Sequence, residues 1–224
     1  MLKVLQKYKL FITTLAVLSV VIITAFYNIL KPTKTLPIYQ PAQVNFKLVD
    51  STIQHQKKYH TIADFKLINQ NGDTITQAFY KDKIYVADFF FATCQTICPI
   101  MTDHMYEIQK KTISDPEILL LSHTVTPEID SVAQLNRYAK QKLVNASKWN
   151  LVTGDKKQIY DLARRSYLAV KTSGDGGPYD MIHTENFILI DKQRQIRGFY
   201  DGTNPEAVET LLEDIKTLKA SYNN

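Results

Sequence analysis

The run 84-IYVADFFF-91 is almost wholly apolar or aromatic, and it constrains the fold more than any other feature of the chain. A strand that is apolar along both of its sides is buried on both faces, so it belongs at the centre of a sheet with helices over each face. The run leads at once into 89-FFFATCQTICPIMT-102, which holds the chain's two cysteines, Cys94 and Cys98, and a proline directly after the second. Such a pair is a redox switch, a covalent staple or a seat for a metal.

The rest of the chain supports an α/β alternation. Residues 64–73 predict a strand with a turn at Asn71-Gly72 and a returning strand over 74–78. Pro99 is well placed as the first residue of a helix reaching about Lys111. A second central strand covers 117–125, and a helix follows over 131–142 with Ser131 as its cap. A short strand over 149–154 and an amphipathic helix over 156–167 come next. The glycine-rich stretch 173-SGDGGPYD-180 interrupts the alternation. Residues 186–191 and 196–202 form a hairpin, and the last helix spans 205–220 behind Asn204 and Pro205.

The net charge of +5 is confined to the beginning of the chain. Lys3, Lys7, Lys9, Lys31 and Lys34 precede the first acidic residue, and the remaining residues carry 22 basic and 22 acidic side chains. A neutral body is a poor binder of phosphate backbones, so nucleic acid is excluded as the expected partner. The five lysines bracket residues 10–30, an uncharged segment of roughly 32 Å as a helix, enough to cross the hydrocarbon layer. Its length, and its end in Phe26-Tyr27-Asn28 rather than small residues, argue for a retained anchor over a cleaved signal peptide. The expected organisation is a cytoplasmic tail over 1–9, a transmembrane helix over 10–30, a proline-punctuated tether over 31–58 and a globular domain over 59–224. Three lysines ahead of the span place the N-terminus inside. The expected location is thus the cell inner membrane, with a single span and the C-terminal domain on the periplasmic side.

Outside the cytoplasm thiols tend to oxidise, but a disulfide closing so short a loop adds little stability, which makes a purely structural staple the weakest reading. A dithiol between the first central strand and its helix is the thioredoxin-like arrangement, although thioredoxin-type motifs have two intervening residues and this loop has three. At a helix N-terminus the thiolate is favoured, and the thiolate is both nucleophile and soft metal ligand. Pro99 disfavours helical geometry at Cys98, so 94-CQTIC-98 is expected to fold back and bring the sulfurs together. Two thiolates suit Cu(I), and a neutral imidazole completes a trigonal site.

Of five histidines, His183 is the best candidate, since it lies after the glycine loop at the mouth of a strand facing the dithiol. The bland alternative is a loop histidine bonded to backbone. Asp180 either orients His183 through its second ring nitrogen or is a loop carboxylate in water. His123 is either a supporting group for the ligands or, preferably, a satisfied strand-end histidine. His104 falls roughly 240° around the helix from Cys98 and is expected to face away. His55 and His60 are expected to be solvated, and Met101 and Met105 to be core.

The chain resembles the SCO/SenC family, thioredoxin-like proteins tethered to membranes that handle copper for cytochrome c oxidase assembly. The likeness rests on 83-KIYVADFFFATCQTICPIMT-102, on 122-SHTVTPEIDS-131, on His183 ahead of 186-NFILIDKQRQIRGFYDG-202, and on the N-terminal anchor. It covers about residues 60–220. It implies Cys94, Cys98 and His183 as ligands for copper, as Cu(I) and in many members Cu(II). It implies a metallochaperone whose partner is the copper-centre subunit of cytochrome c oxidase or another cuproprotein. The alternative function is a thiol-disulfide oxidoreductase that uses Cys94 and Cys98 to keep a partner's copper-site cysteines reduced. Two departures stand out. Ile182 precedes His183 where the family has aspartate, with Asp180 two positions further back, and His123 occupies the region where the family has Ile-Asp. Both bear on Cu(II) affinity and redox work, and neither touches the three ligands.

Overall fold

The computed structural model describes residues 8–30, 35–44, 49, 52–170, 177, 181–182 and 184–222. It divides into two units, Met1–Thr35 and Leu36–Asn224. The first holds one helix, α1 (Lys9–Leu30), whose apolar segment Lys9–Tyr27 is long and apolar enough to cross a membrane. Thr14 and Thr24 turn their hydroxyls back onto carbonyls of the preceding turn, so neither presents an unpaired donor to an apolar surround.

The second unit is a seven-stranded mixed sheet. Its strands are β1 (Lys66–Asn69), β2 (Thr74–Thr76), β3 (Ile84–Phe90), β4 (Ile118–Thr124), β5 (Trp149–Thr153), β6 (Asn186–Ile190) and β7 (Ile196–Asp201). Their order across the sheet is β2-β1-β5-β4-β3-β6-β7. The core strands β3, β4 and β5 are parallel, with Ile84 opposite Ile118 and Leu120 opposite Trp149. The two hairpins close the edges antiparallel. β3 and β4 are buried at every position, as their largely apolar sequences favour. The turn expected at Asn71-Gly72 is present, and Gly72 takes φ 87°, a left-handed conformation that costs glycine little.

Helices cover both faces. On one lie α2 (Ile97–Thr112), α3 (Val132–Gln141) and α5 (Pro205–Ala220). Their Met101, Met105, Ile108, Leu135, Leu211 and Ile215 pack with Val86, Phe90, Leu120 and Leu151 of the sheet. On the other face lies α4 (Lys156–Asp161), extended by a wider turn over Leu162–Ser166. Its Ile159, Tyr160 and Ala163 join Phe65, Phe89, Leu121 and Tyr167 in a second core. The caps fall where the sequence placed them: Ser131 Oγ accepts from the Gln134 amide, and Asn204 Oδ1 from the Glu206 amide.

Three expectations are corrected. Helix α2 begins at Ile97, so Pro99 is its third residue and Cys98 is helical. A first turn has no use for the amide that proline lacks, which removes the reason for the helix to wait. His60 is buried rather than solvated, with Nε2 2.7 Å from the Ser166 carbonyl. Part of the stretch read as a tether lies along the domain. Tyr39 bridges Ile196, Arg197 reaches the carbonyls of Leu36 and Pro37, and Val49 is buried in the second core. Tyr39 and Leu36 gain more by lying along the open edge at β7, and Val49 by entering the core, than by remaining in water.

Candidate functional site

Cys94 and Cys98 sit where β3 hands over to α2. The strand ends at Phe90, and the Cys94 amide donates to the Phe91 carbonyl to form the turn. The helix then begins three residues after Cys94. Both cysteines are free thiols; Cys98 is buried and Cys94 partly exposed. The loop after β4 grips this turn from the side. The Val125 amide donates to the Phe90 carbonyl, and the Ala92 amide to Asp130 Oδ2 at 3.1 Å. That oxygen also accepts from the hydroxyls of Thr124 and Thr126, and Asp130 is wholly buried. The segment 122–131 therefore holds the dithiol turn in place.

The two thiols are electrostatically unequal. Burial raises the Cys94 pKa, but hydrogen bonds from Thr96, from the Cys98 amide and from the Cys98 thiol outweigh it and bring it down to about 7. Burial dominates at Cys98, a backbone bond from Phe91 offsets part of it, and the nearby Cys94 and Asp88 add to it; the thiol is pushed up to about 12. Cys94 is therefore the more readily ionised thiol at neutral pH, and Cys98 stays buried and protonated. Iodoacetamide at pH 7 is therefore expected to modify Cys94 at least about 100-fold faster than Cys98 in the reduced protein, read by peptide mass spectrometry. Equal rates at both would contradict this asymmetry.

The remaining sequence-derived site residues fall differently. His183 and Asp180 lie outside the described residues. Among the described residues no three His, Cys, Asp or Glu side chains gather as metal ligands. His123 is buried within β4 and directed to the face opposite the cysteines. Its ring stacks on Phe89 at 4.8 Å and meets Tyr167 and Phe65 edge-on. Burial lowers its pKa to about 4, although Nδ1 donates to the Asp88 carbonyl at 3.3 Å. His104 turns away from the dithiol, with Nδ1 2.7 Å from the Gly202 carbonyl, and Met101 and Met105 are fully buried.

Asp88 was not recognised as a site residue. It is buried in β3 on the same face as Val86 and Phe90, beneath α2. Burial raises its pKa to about 7, and a hydrogen bond with Ser122 offsets part of the shift. Ser122 Oγ is held in turn by Trp149 Nε1 at 2.8 Å, and Asp88 Oδ1 has no hydrogen-bond partner among the described residues. The available signal was a lone carboxylate inside an otherwise apolar central strand, which costs free energy unless it serves something.

A three-layer thioredoxin-like domain with an unequal dithiol at the strand-to-helix junction defines the class. Within it, the chain belongs to the SCO1/SenC family, whose profile matches residues 53–220. The SCO1 protein homolog of Bacillus subtilis is 28% identical over 160 residues, covering 70% of this chain and 82% of its own. The structure of BsSco, described as a member of the Sco family of cytochrome c oxidase assembly proteins with a disulfide switch, is similar at TM-score 0.60 and 27% identity. That match covers 71% of this chain and 93% of the other. Yeast Sco1, solved with copper bound, shares the fold at TM-score 0.55 and 22% identity, over 70% and 90% of the two chains.

Proposed function

We propose that this chain is a membrane-anchored copper chaperone that serves the copper centre of cytochrome c oxidase. Cys94 and Cys98 hold Cu(I) as thiolates, and His183 supplies a neutral imidazole as third ligand. The observation that carries this reading is the pair of free thiols at the head of α2, close enough to hydrogen-bond to each other. Two soft sulfur donors in a partly buried turn fit Cu(I), and the family's link to oxidase assembly supports the recipient. α1 supplies the anchor, with the domain on the periplasmic side of the inner membrane.

The test is an anaerobic Cu(I) titration of the full-length chain in detergent against a competing chelator. One Cu(I) per chain is expected. Cys98→Ala should lower affinity by more than about 100-fold, beyond what loss of an outer-shell partner costs. Near-unchanged affinity and stoichiometry in that variant would reject the reading. Because the ligands must shed their protons, affinity should fall with falling pH, and more steeply below about 7, where Cys94 joins Cys98 in holding one.

The inequality of the thiols favours a second reading, a thiol-disulfide reductase in which Cys94 attacks a partner's disulfide and Cys98 resolves the mixed disulfide. The readings separate at His183→Ala, which should impair metal loading but leave disulfide exchange intact.

A further inference from the structure

The 22 basic and 22 acidic side chains beyond the first 34 residues balance in number but are not evenly spread. At the end of the sheet where β3 begins, a cleft of about 370 Å³ is walled by Lys81, Lys192 and Arg194, with Asp64 and Asp82 as its carboxylates. Lys81 is exposed and has no partner among the described residues. Arg194 meets Asp64, whose side chain is 87% exposed, and Lys192 meets Glu117. A pair so open to water is screened and exchanges readily for another anion. The basic border continues along the backbone. The Ile62 amide donates to the Arg194 carbonyl and the His60 amide to Gln40 Oε1, so Lys57, Lys58 and Tyr59 lie beside the cleft and beside the segment that starts at Leu36. Both lysines are exposed, and Tyr59 is 88% exposed. Tyr59 also takes φ 65°, a left-handed conformation that strains a residue with a Cβ. An aromatic ring held in the open and flanked by lysines suits the boundary between hydrocarbon and water. The covalent path points the same way. Arg197, three residues beyond Arg194, clasps the carbonyls of Leu36 and Pro37. Only five residues separate Leu36 from Leu30, the end of α1, a stretch of at most roughly 20 Å when fully extended, and Lys31 and Lys34 are two of them.

We propose that this end of the 36–224 unit docks on the anionic lipid headgroups of the membrane that holds α1, which rests on the anchor reading above. Tyr59 enters the headgroup layer, and Lys57, Lys58, Lys81, Lys192 and Arg194 lie over the phosphates. Asp64, Asp82 and Glu117 are the carboxylates among them, so the basic groups are in excess. That excess is too small to hold a free domain on a membrane. So short a connection to the anchor makes it sufficient, because it supplies an effective concentration on the order of millimolar. Docking also gives the domain one orientation. β3 runs from Ile84, two residues past Asp82, to Phe90, roughly 20 Å further at about 3.3 Å per residue. The dithiol turn is thereby carried to the side away from the lipid, open to a partner.

The test places the full-length chain carrying Tyr59→Trp in vesicles of phosphatidylcholine, alone or mixed with phosphatidylglycerol, in which part of the lipid is brominated near the headgroup. Quenching of tryptophan emission is the readout, and Trp149, 1% exposed, supplies a constant background. The introduced indole should be quenched and blue-shifted in the anionic vesicles and not in the neutral ones. The effect should reverse at about 1 M salt, where the screening length falls to about 3 Å. Lys57→Gln, Lys58→Gln and Lys81→Gln together should lower the docked-to-free ratio by roughly 100-fold, at about fivefold for each lysine near an anionic surface. All three lysines are exposed and hold no partner among the described residues, so the fold does not depend on them. Equal quenching in neutral and anionic vesicles, or quenching that the triple variant leaves unchanged, would overturn docking on headgroups while the anchor stands. Release of the chain from the vesicles by alkaline carbonate would overturn the anchor reading and this proposal with it.

Discussion

Replacing Asp88 by asparagine is expected to stabilise the 36–224 unit at pH 8 and to leave it nearly unchanged at pH 4. The aspartate has an ordinary pKa of 3.8 in the unfolded chain and about 7 in the folded one. Between those values the folded state holds a proton that the unfolded state has released, so stability falls as pH rises, and above about 7 the loss is complete. A three-unit difference sets an upper bound near 4 kcal/mol; since asparagine is itself polar and buried, a gain of about 2–3 kcal/mol is expected. His123 works in the opposite sense. Its pKa is depressed from 6.5 to about 4, so its contribution is present above 6.5 and is lost as pH falls towards 4. The two slopes oppose each other between about 4 and 6.5, and the wild-type stability should be almost flat there. Asp88→Asn unmasks His123, and stability should then climb by up to about 1.4 kcal/mol per pH unit over that window. Urea unfolding followed by the fluorescence of Trp149, the single tryptophan and a buried one, checks both statements. No gain at pH 8, together with a wild-type stability that climbs steadily from pH 4, would show that the buried carboxyl carries no such cost.

Gly198→Ala is expected to destabilise the same unit by about 3–5 kcal/mol. Gly198 and Tyr200 share one side of β7, two residues apart, and the tyrosine ring folds back over the glycine. A Cβ at position 198 would lie 2.3 Å from the Tyr200 hydroxyl oxygen and 2.5 Å from ring carbons. The ring cannot yield freely, because its hydroxyl donates to Asp214 Oδ2 on α5 at 2.9 Å in a buried setting. Accommodating the methyl group therefore combines overpacking with removal of that donor from a buried carboxylate. The same urea titration reads the result. A loss below about 1 kcal/mol would mean that Tyr200 finds another position at little cost.

Much of this architecture was legible in advance because it depends on local pattern. The apolar runs around Tyr85 and Leu120 announce strands buried on both faces, and Ser131 and Asn204 announce helix starts through side chains that accept from the first free amides. The dithiol was legible as well, since two cysteines at a strand-to-helix junction point to one chemistry whatever surrounds them. Residues whose meaning lies in distant neighbours were not legible. His60 reads as a surface histidine until Ser166, more than a hundred positions on, appears above its ring nitrogen. Leu36 and Tyr39 read as tether until the edge at β7 offers them partners, and Val49 until the second core takes it in. Asp88 reads as a blemish in a strand until α2 closes over it.

The sequence by itself determined the elements, their order, the membrane-length helix and the sulfur pair, because each follows from the periodicity or chemistry of a few adjacent residues. Only the tertiary structure decided which cysteine is open and which is enclosed, that Asp130 clamps the turn, that His123 faces the other core, and that a carboxylic acid lies under the enclosed thiol. Those outcomes depend on desolvation and on contacts between segments far apart in the chain, and neither quantity exists until the layers have packed.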